Sequence, residues 1–235
     1  MDSSEALLLR KIPYRDSDYI LSLFTKDLGK ISGIARGAKN SMKRFGARLE
    51  PFVHFNLTFK DTGKDFKIIQ DTETIEVFSR FIEDIELFSF GNLILETTDA
   101  LTPRELSNPE MFELLIEALS RMNSKENPLI VVVHFQLQAL SISGYEPNLN
   151  SCAKCEKVID GDSYFSIKGG GAVCFDCGGE KKKGFIFSRD FLIDEELMNA
   201  NLEKVLKYIK LFIKFTEHHT EKELKSAKFI EELKL

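Results

Sequence analysis

The chain is 235 residues long and carries 32 Lys and Arg against 37 Asp and Glu, a formal charge of -5, with 43% hydrophobic residues. That composition belongs to a folded globular protein with one main body and a smaller module, and it excludes a membrane-spanning chain, because no apolar run approaches the ~20 residues of a membrane helix. The N-terminus MDSSEALLLRK lacks the basic start of a secretory leader, and four cysteines confined to positions 152–177 are too few and too local for a secreted disulfide scaffold, so the expectation is a cytoplasmic protein with no membrane partner.

The first eighty residues read as short β-strands. EALLLRKI, YILSLFT, KISGIARGA, FVHFNLTF and FKIIQDTETIEV are rich in Ile, Val, Phe and Thr, mostly alternate in polarity, and are separated by turn signals at KDLG and KDTGKD. In the fourth, Phe52, His54, Asn56 and Thr58 fall on one face and Val53, Phe55, Leu57 and Phe59 on the other, the period of a half-buried strand. Strands with one long connection predict a small barrel over residues 1–79. That connection lies in ARGAKNSMKRFGARL and holds Arg36, Lys39, Lys43, Arg44 and Arg48 with no acid among them. Residues 1–80 carry 14 cations and 11 acids, whereas residues 81–151 carry 3 and 11, so the overall acidity lies elsewhere. A ligand within about a Debye length, ~8–10 Å, feels mainly the local positive patch. Gly37, Ser41 and Gly46 allow close approach to phosphates, and Phe45 sets a ring among the cations. Five-stranded barrels of the oligonucleotide-binding (OB) type use cations along the backbone track and rings for base stacking. The expected nucleic-acid-binding set is therefore Arg36, Lys39, Lys43, Arg44, Phe45 and Arg48, on a loop protruding from the barrel.

From about Phe78 the period changes to near 3.6. Met111, Leu114, Leu115, Ala118, Leu119 and Met122 form the apolar stripe of an amphipathic helix. NPLIVVVHFQLQALSISGYEP predicts a helix capped by Asn127, with Pro128 in its first turn and Gly144 as its stop, and it is apolar on nearly every side, as the buried centre of a bundle would be. Further on, Leu202, Val205, Leu206, Ile209, Phe212 and Ile213 form one stripe with Lys204, Lys207, Lys210 and Lys214 opposite, read as the wet side of the helix, and EKELKSAKFIEEL closes the chain as another helix. The fold class is α+β, an N-terminal OB-type barrel followed by a helical bundle over 80–235.

Inserted at about 150–184 is Cys152-Ala-Lys-Cys155, then eighteen residues, then Cys174-Phe-Asp-Cys177. Each C-x-x-C is a tight turn that aims two thiolates at one metal, and two turns complete a tetrahedron with Zn–S distances of about 2.3 Å. SYFSI and AVCF read as hairpin arms turned by Gly169, Gly170 and Gly171, and Gly178 leaves room for a backbone N–H near a sulfur. The expected occupant is one structural Zn2+. Iron or another metal at the same thiolates, and redox or disulfide use, are the other readings. No phosphate loop and no G-x-G-x-x-G turn occurs, and His54, His134, His218 and His219 stand beside no nucleophile, so no enzyme is expected.

The order of these parts, with LFTKDLGKISGIARGAK, LEPFVHFNLTF, SGYEPNLNSCAKC and ELKSAKFI as matching stretches, resembles the RecO family of bacterial recombination mediators over essentially the whole chain. The resemblance implies a non-enzymatic protein of DNA repair and recombination, cytoplasmic and nucleoid-associated. It implies binding of single- and double-stranded DNA and annealing of complementary strands, even when coated by single-strand-binding protein. With RecR as partner it implies loading of RecA. The family's basic barrel loop falls on Arg36, Lys39, Lys43, Arg44 and Arg48. It also implies a place on the helices for the acidic, hydrophobic C-terminal tail of single-strand-binding protein, for which Arg121 and His134 are the candidates. Where the family commonly has Arg-Phe-Glu this chain has His134-Phe135-Gln136, so tail binding is expected to be weaker or favoured at lower pH. The competing reading is a zinc-ribbon adaptor that docks proteins in transcription or translation, its basic loop meeting an acidic partner.

Overall fold

The structure is a computed structural model that describes residues 1–41, 44–46, 48–63, 65–178, 185–188, 197 and 200–232. Strands β1 (Asp2–Tyr14), β2 (Asp18–Thr25), β3 (Gly29–Ala35), β4 (Val53–Lys60) and β5 (Lys67–Val77) close a barrel in the order β1-β2-β3-β5-β4. Only β3 and β5 run parallel; β4 closes onto β1 antiparallel, which is the OB-fold arrangement. Alternation places Ala6, Leu8, Leu21, Leu23, Ile31, Phe55, Leu57, Phe59 and Ile69 inside the barrel.

The fourth strand departs from a half-buried pattern at its start. Val53, His54 and Phe55 are all buried, because the outer side of the barrel is itself covered by helices. Leu7, Phe24, Phe52 and Phe78 point outward and belong to the same core as the helical part. Phe52 stacks on Phe81 with centroids 4.5 Å apart, and Gly91 opens the space for this pair, since a Cβ there would lie 2.6 Å from both rings.

Helices α1 (Arg80–Glu83), α2 (Ile85–Leu101), α3 (Pro109–Asn123) and α4 (Pro128–Ile142) follow. Asp84 caps α2 by accepting from the N–H of Glu86 and Leu87, Asn108 caps α3, and Asn127 caps α4 ahead of Pro128, so each start is the one its cap residue dictates. The predicted stripe of α3 is buried throughout, and α4 is buried at Leu129–Val133, Phe135, Gln136, Ala139 and Leu140, against α2, α3 and the later helix α6 (Leu202–Thr220). The intervening module comprises β6 (Asp162–Ser166), β7 (Gly171–Val173), the short α5 (Phe175–Gly178) and β8 (Phe185–Ser188), with sheet order β7-β6-β8. β8 has no counterpart in the sequence reading.

The closing segment differs from the single helix predicted. Among its described residues only α7 (Ser226–Glu232) is helical; Glu221 takes φ 55°, and residues 222–225 form a connection. Tertiary partners hold it open: Lys222 Nζ donates to the carbonyls of Asp99 and Ala100, Glu217 accepts from Leu224 N, and Glu96 accepts from Ser226 N and Oγ. No described helix is long and apolar enough to cross a membrane.

Candidate nucleic-acid interface and metal centre

The β3–β4 connection folds back over one end of the barrel. Gly37, at φ 67°, turns the chain into a 3-10 turn at Ala38–Asn40 and donates its N–H to Asp18 Oδ1 at 2.8 Å, while Lys39 N donates to Ser17 O at 3.0 Å. Phe45 and Leu49 are 1% and 3% exposed and join the barrel core. This corrects the expected protruding loop with Phe45 as a stacking face. An open barrel end leaves apolar side chains in water, and burying a Phe there gains about 1.5–3 kcal/mol, so the ring serves as a plug.

The plug carries its cations outward. Arg36, Lys39 and Arg44 are exposed; Lys39 Nζ donates to Arg15 O at 2.8 Å, and Arg44 donates to Arg36 O and Ser41 Oγ at 3.2 and 3.3 Å. None of the three pairs with a carboxylate among the described residues. Arg48 is half-buried and donates to Arg44 O and Thr72 O at 2.9 and 2.8 Å, so it straps the plug to β5. Lys43 lies outside the described residues.

The β1–β2 turn adds residues the sequence reading missed. Arg15 lies over the Tyr14 ring at 5.0 Å, and Lys11 and Lys39 lie over the Tyr19 ring at 5.1 and 5.7 Å. Tyr14 and Tyr19 are half-buried, and they are the rings that accompany the exposed cations at this rim. The paired aromatics at the ends of YRDSDY were the available signal. Asp18 faces Arg15 and Arg36. Its carboxyl is held below the usual range first by the Gly37 N–H, with desolvation opposing and Ser17 and the two arginines assisting. The rim therefore offers exposed cations, without carboxylate partners among the described residues, that can hold phosphate oxygens.

The cysteines converge as their spacing predicts. Cys152, Cys155, Cys174 and Cys177 bring their Sγ atoms within 4.8 Å of one another, and Cys155 and Cys174 are 3.8 Å apart, close to the ~3.8 Å edge of a tetrahedron with metal–sulfur bonds of about 2.3 Å. The N–H groups of Lys154 and Cys174 donate to Cys152 Sγ, each at 3.4 Å. Desolvation pushes the Cys152 thiol up, but those N–H groups, with help from Cys155, outweigh it and bring it to about 6; Cys177, donating to Cys155 and Cys174, is pushed up to about 12. The four sulfurs fit a soft cation in tetrahedral coordination. Gly178 acts otherwise than expected: its N–H goes to Cys174 O, and a Cβ there would lie 2.3 Å from the Tyr164 ring.

Arg121, near the end of α3, and His134, on α4, gather around one acid that sequence reading overlooked. Arg121 donates to both oxygens of Glu126, at 2.9 Å from Nε, and lies 3.7 Å from Glu117. Arg121 chiefly holds the Glu126 carboxyl below its usual range, against desolvation, and His134 contributes.

Comparisons with known proteins place these features in a wider set. Residues 1–78 match the family model "Recombination protein O N terminal" and residues 82–228 match "Recombination protein O C terminal". The chain is 30% identical to a DNA repair protein RecO from Dehalococcoides mccartyi, over 88% of this chain and 77% of that one. It is 32% identical to one from Alkaliphilus metalliredigens, over 75% and 72%. A third, from a Thermoanaerobacter species, is 29% identical over 98% of this chain and 97% of its own.

Proposed function

The chain belongs to the RecO family of DNA repair proteins, and from that premise we propose that it binds single- and double-stranded DNA at the barrel rim and anneals complementary strands, including those coated by single-strand-binding protein. With RecR it promotes RecA loading. In this reading residues 1–79 are the DNA-binding unit, and residues 80–235, with the ribbon at about 150–184, face the protein partners. The observation that supports it is the set of exposed cations Arg36, Lys39 and Arg44, unpaired with carboxylates among the described residues and carried on a connection whose Phe45 and Leu49 are buried in the barrel.

Duplex formation is downhill, so annealing needs no general acid or base. The barrier is repulsion between two phosphate backbones and the search for register. Guanidinium and ammonium groups fixed at the rim neutralise phosphates on one strand and lower the field that the second must approach. Non-directional contacts of this kind let strands slide until bases pair. The same cations release counterions on binding, so the logarithm of affinity falls with the logarithm of salt at a slope of about 0.7 per contact for single strands. Arg121 and His134 are assigned to the acidic tail of single-strand-binding protein, which must displace Glu126 to reach the guanidinium. The ribbon cysteines are assigned one structural Zn2+, which leaves no coordination position open for chemistry.

The test is strand annealing of labelled complementary oligonucleotides by R36E/K39E/R44E. Its annealing rate is expected to fall at least about tenfold, and the salt slope of its DNA affinity by about 2 for three lost contacts. Wild-type annealing by this variant rejects the assignment.

A further inference from the structure

The four cysteine sulfurs do not face solvent equally. Cys152 is 0% exposed, packs with Ile159, Ala172 and Val173, and its sulfur accepts the N–H groups of Lys154 and Cys174. Cys174 and Cys177 are half-buried, and Cys155 is exposed. The local turn sets this asymmetry. Glu156 N donates to Cys152 O and Cys152 N donates to Lys157 O, at 2.8 Å each, so the first C-x-x-C closes around Cys152 and leaves Cys155 at the surface.

Cys155 Sγ stands 3.8 Å from Cys174 Sγ, on the other C-x-x-C and 19 residues along the chain. Side-chain rotation can close that gap, since disulfide sulfurs stand about 2.05 Å apart. A metal in the cluster holds its ligands as thiolates, the form that attacks an electrophile, and an electrophile arriving from solvent meets the exposed one first. An exposed thiolate with a second sulfur beside it is the arrangement of an oxidation-sensitive site.

We propose that Cys155 is a site of modification by hydroperoxides, with Cys174 as the thiol that resolves it. The inference rests on the reading of the cluster as a site for one Zn2+. The Cys155 thiolate attacks one peroxide oxygen; an S–O bond forms, the O–O bond breaks, and the other oxygen takes a proton from solvent and leaves as water or alcohol. The sulfur has then given up two electrons and is a sulfenic acid. The Cys174 thiolate attacks that sulfur, the S–S bond forms, and the departing hydroxide is protonated to water. One peroxide is reduced for each disulfide made, and no other oxidant is needed. Cys155 and Cys174 are thereby withdrawn from the metal, and the two thiolates left do not complete a structural site. The loosening stays local. Cys152 shares its core only with Ile159, Ala172 and Val173 among the buried described residues, whereas Phe165 of β6 and Phe187 of β8 belong to the core of the helices. Oxidation therefore opens the cysteine turns, while the sheet stays anchored and the barrel rim is untouched.

Treatment of the zinc-loaded full chain with hydrogen peroxide tests this, with released zinc read by a chromogenic chelator and disulfides mapped by mass spectrometry of peptides. The wild type is expected to release about one zinc per chain, to keep two of its four thiols, and to yield a peptide pair joined at Cys155 and Cys174. Dithiothreitol with added zinc should restore it. Cys155→His keeps a ligand that zinc accepts but removes the oxidisable sulfur, so its release is expected to be at least about tenfold slower; Cys177→His should release at the wild-type rate. Oligo(dT) affinity of the oxidised wild type should equal that of the untreated protein. Less than about a tenth of a zinc in the untreated wild type overturns the metal reading, and the inference with it. Full zinc that excess peroxide does not release, or a disulfide at any pair other than Cys155–Cys174, overturns the modification site and leaves the metal reading standing. So does a zinc-loaded Cys155→His that releases as fast as the wild type.

Discussion

Phe45 to alanine leaves a cavity in the barrel core, and the expected loss of stability is about 3–5 kcal/mol, read from the midpoint of urea unfolding. A ring exposed for base stacking would move that midpoint by no more than about 0.5 kcal/mol while weakening DNA binding, and such a result would reject the plug. Arg36, Lys39 and Arg44 could be picked out because a run of cations without acids is visible in a few adjacent letters. The roles of Phe45 and Arg48 could not, since one depends on the barrel core and the other on the carbonyl of Thr72, 24 residues away. Arg15, Tyr14 and Tyr19 stayed hidden for a related reason: only folding sets the β1–β2 turn beside Lys39.

At the scale of elements, the ribbon is held from two sides. One is the sulfur cluster. The other is a row of rings in which Phe165 of β6 meets Phe187 and Phe215 at 5.5 Å each, while Tyr208 of α6 exchanges hydrogen bonds with the backbone of Ser188. Protein purified without added metal is expected to carry about one zinc per chain by plasma mass spectrometry, and Cys152→Ser to lose it. The variant should show increased protease cleavage within 150–184 while the barrel keeps its oligo(dT) affinity. Less than about a tenth of a zinc in the wild type would sink the assignment. The two C-x-x-C turns were legible because ligand spacing is local, but β8 was not, because a short strand is defined by pairing with β6 rather than by its own pattern.

At the scale of the whole molecule, the outer side of the barrel shares a core with the helices, and the two meet through an ionic seam. His54 of β4 lies 3.0 Å from Glu5 and its ring packs on Phe112 at 5.8 Å; Lys26 bridges Glu5 at 3.8 Å and Glu113 of α3 at 2.6 Å. Burial pushes the His54 pKa down, with Glu5 opposing. A histidine depressed in the fold binds its proton more readily when unfolded. Its contribution to stability is therefore present above about pH 6.5 and is lost as pH falls toward the depressed value. Thermal stability is expected to drop between about pH 7.5 and about pH 5.5, and His54→Gln to reduce that drop. His219, desolvated beside Tyr145 and Phe215, has the same sign and remains, so the slope shrinks without vanishing; an unchanged slope would remove His54 from the account. Close approach also fixes the docking at Gly29, where φ is +66° and a Cβ would fall 1.9 Å from Leu106 O.

Period, caps and cysteine spacing act over a few residues, so the sequence by itself determined the barrel strands, the starts of α3 and α4, the four-cysteine cluster and the family. Which charges are left over for a ligand was decided only by the tertiary structure. A cation is drawn inward or left facing solvent according to partners far along the chain: Lys30 is held by Asp99 and the half-buried Arg48 by Thr72 O, while Arg36 and Arg44 stay exposed. Burial and ion pairing depend on three-dimensional neighbours, and those exist only once the barrel has closed and the helices have packed against it.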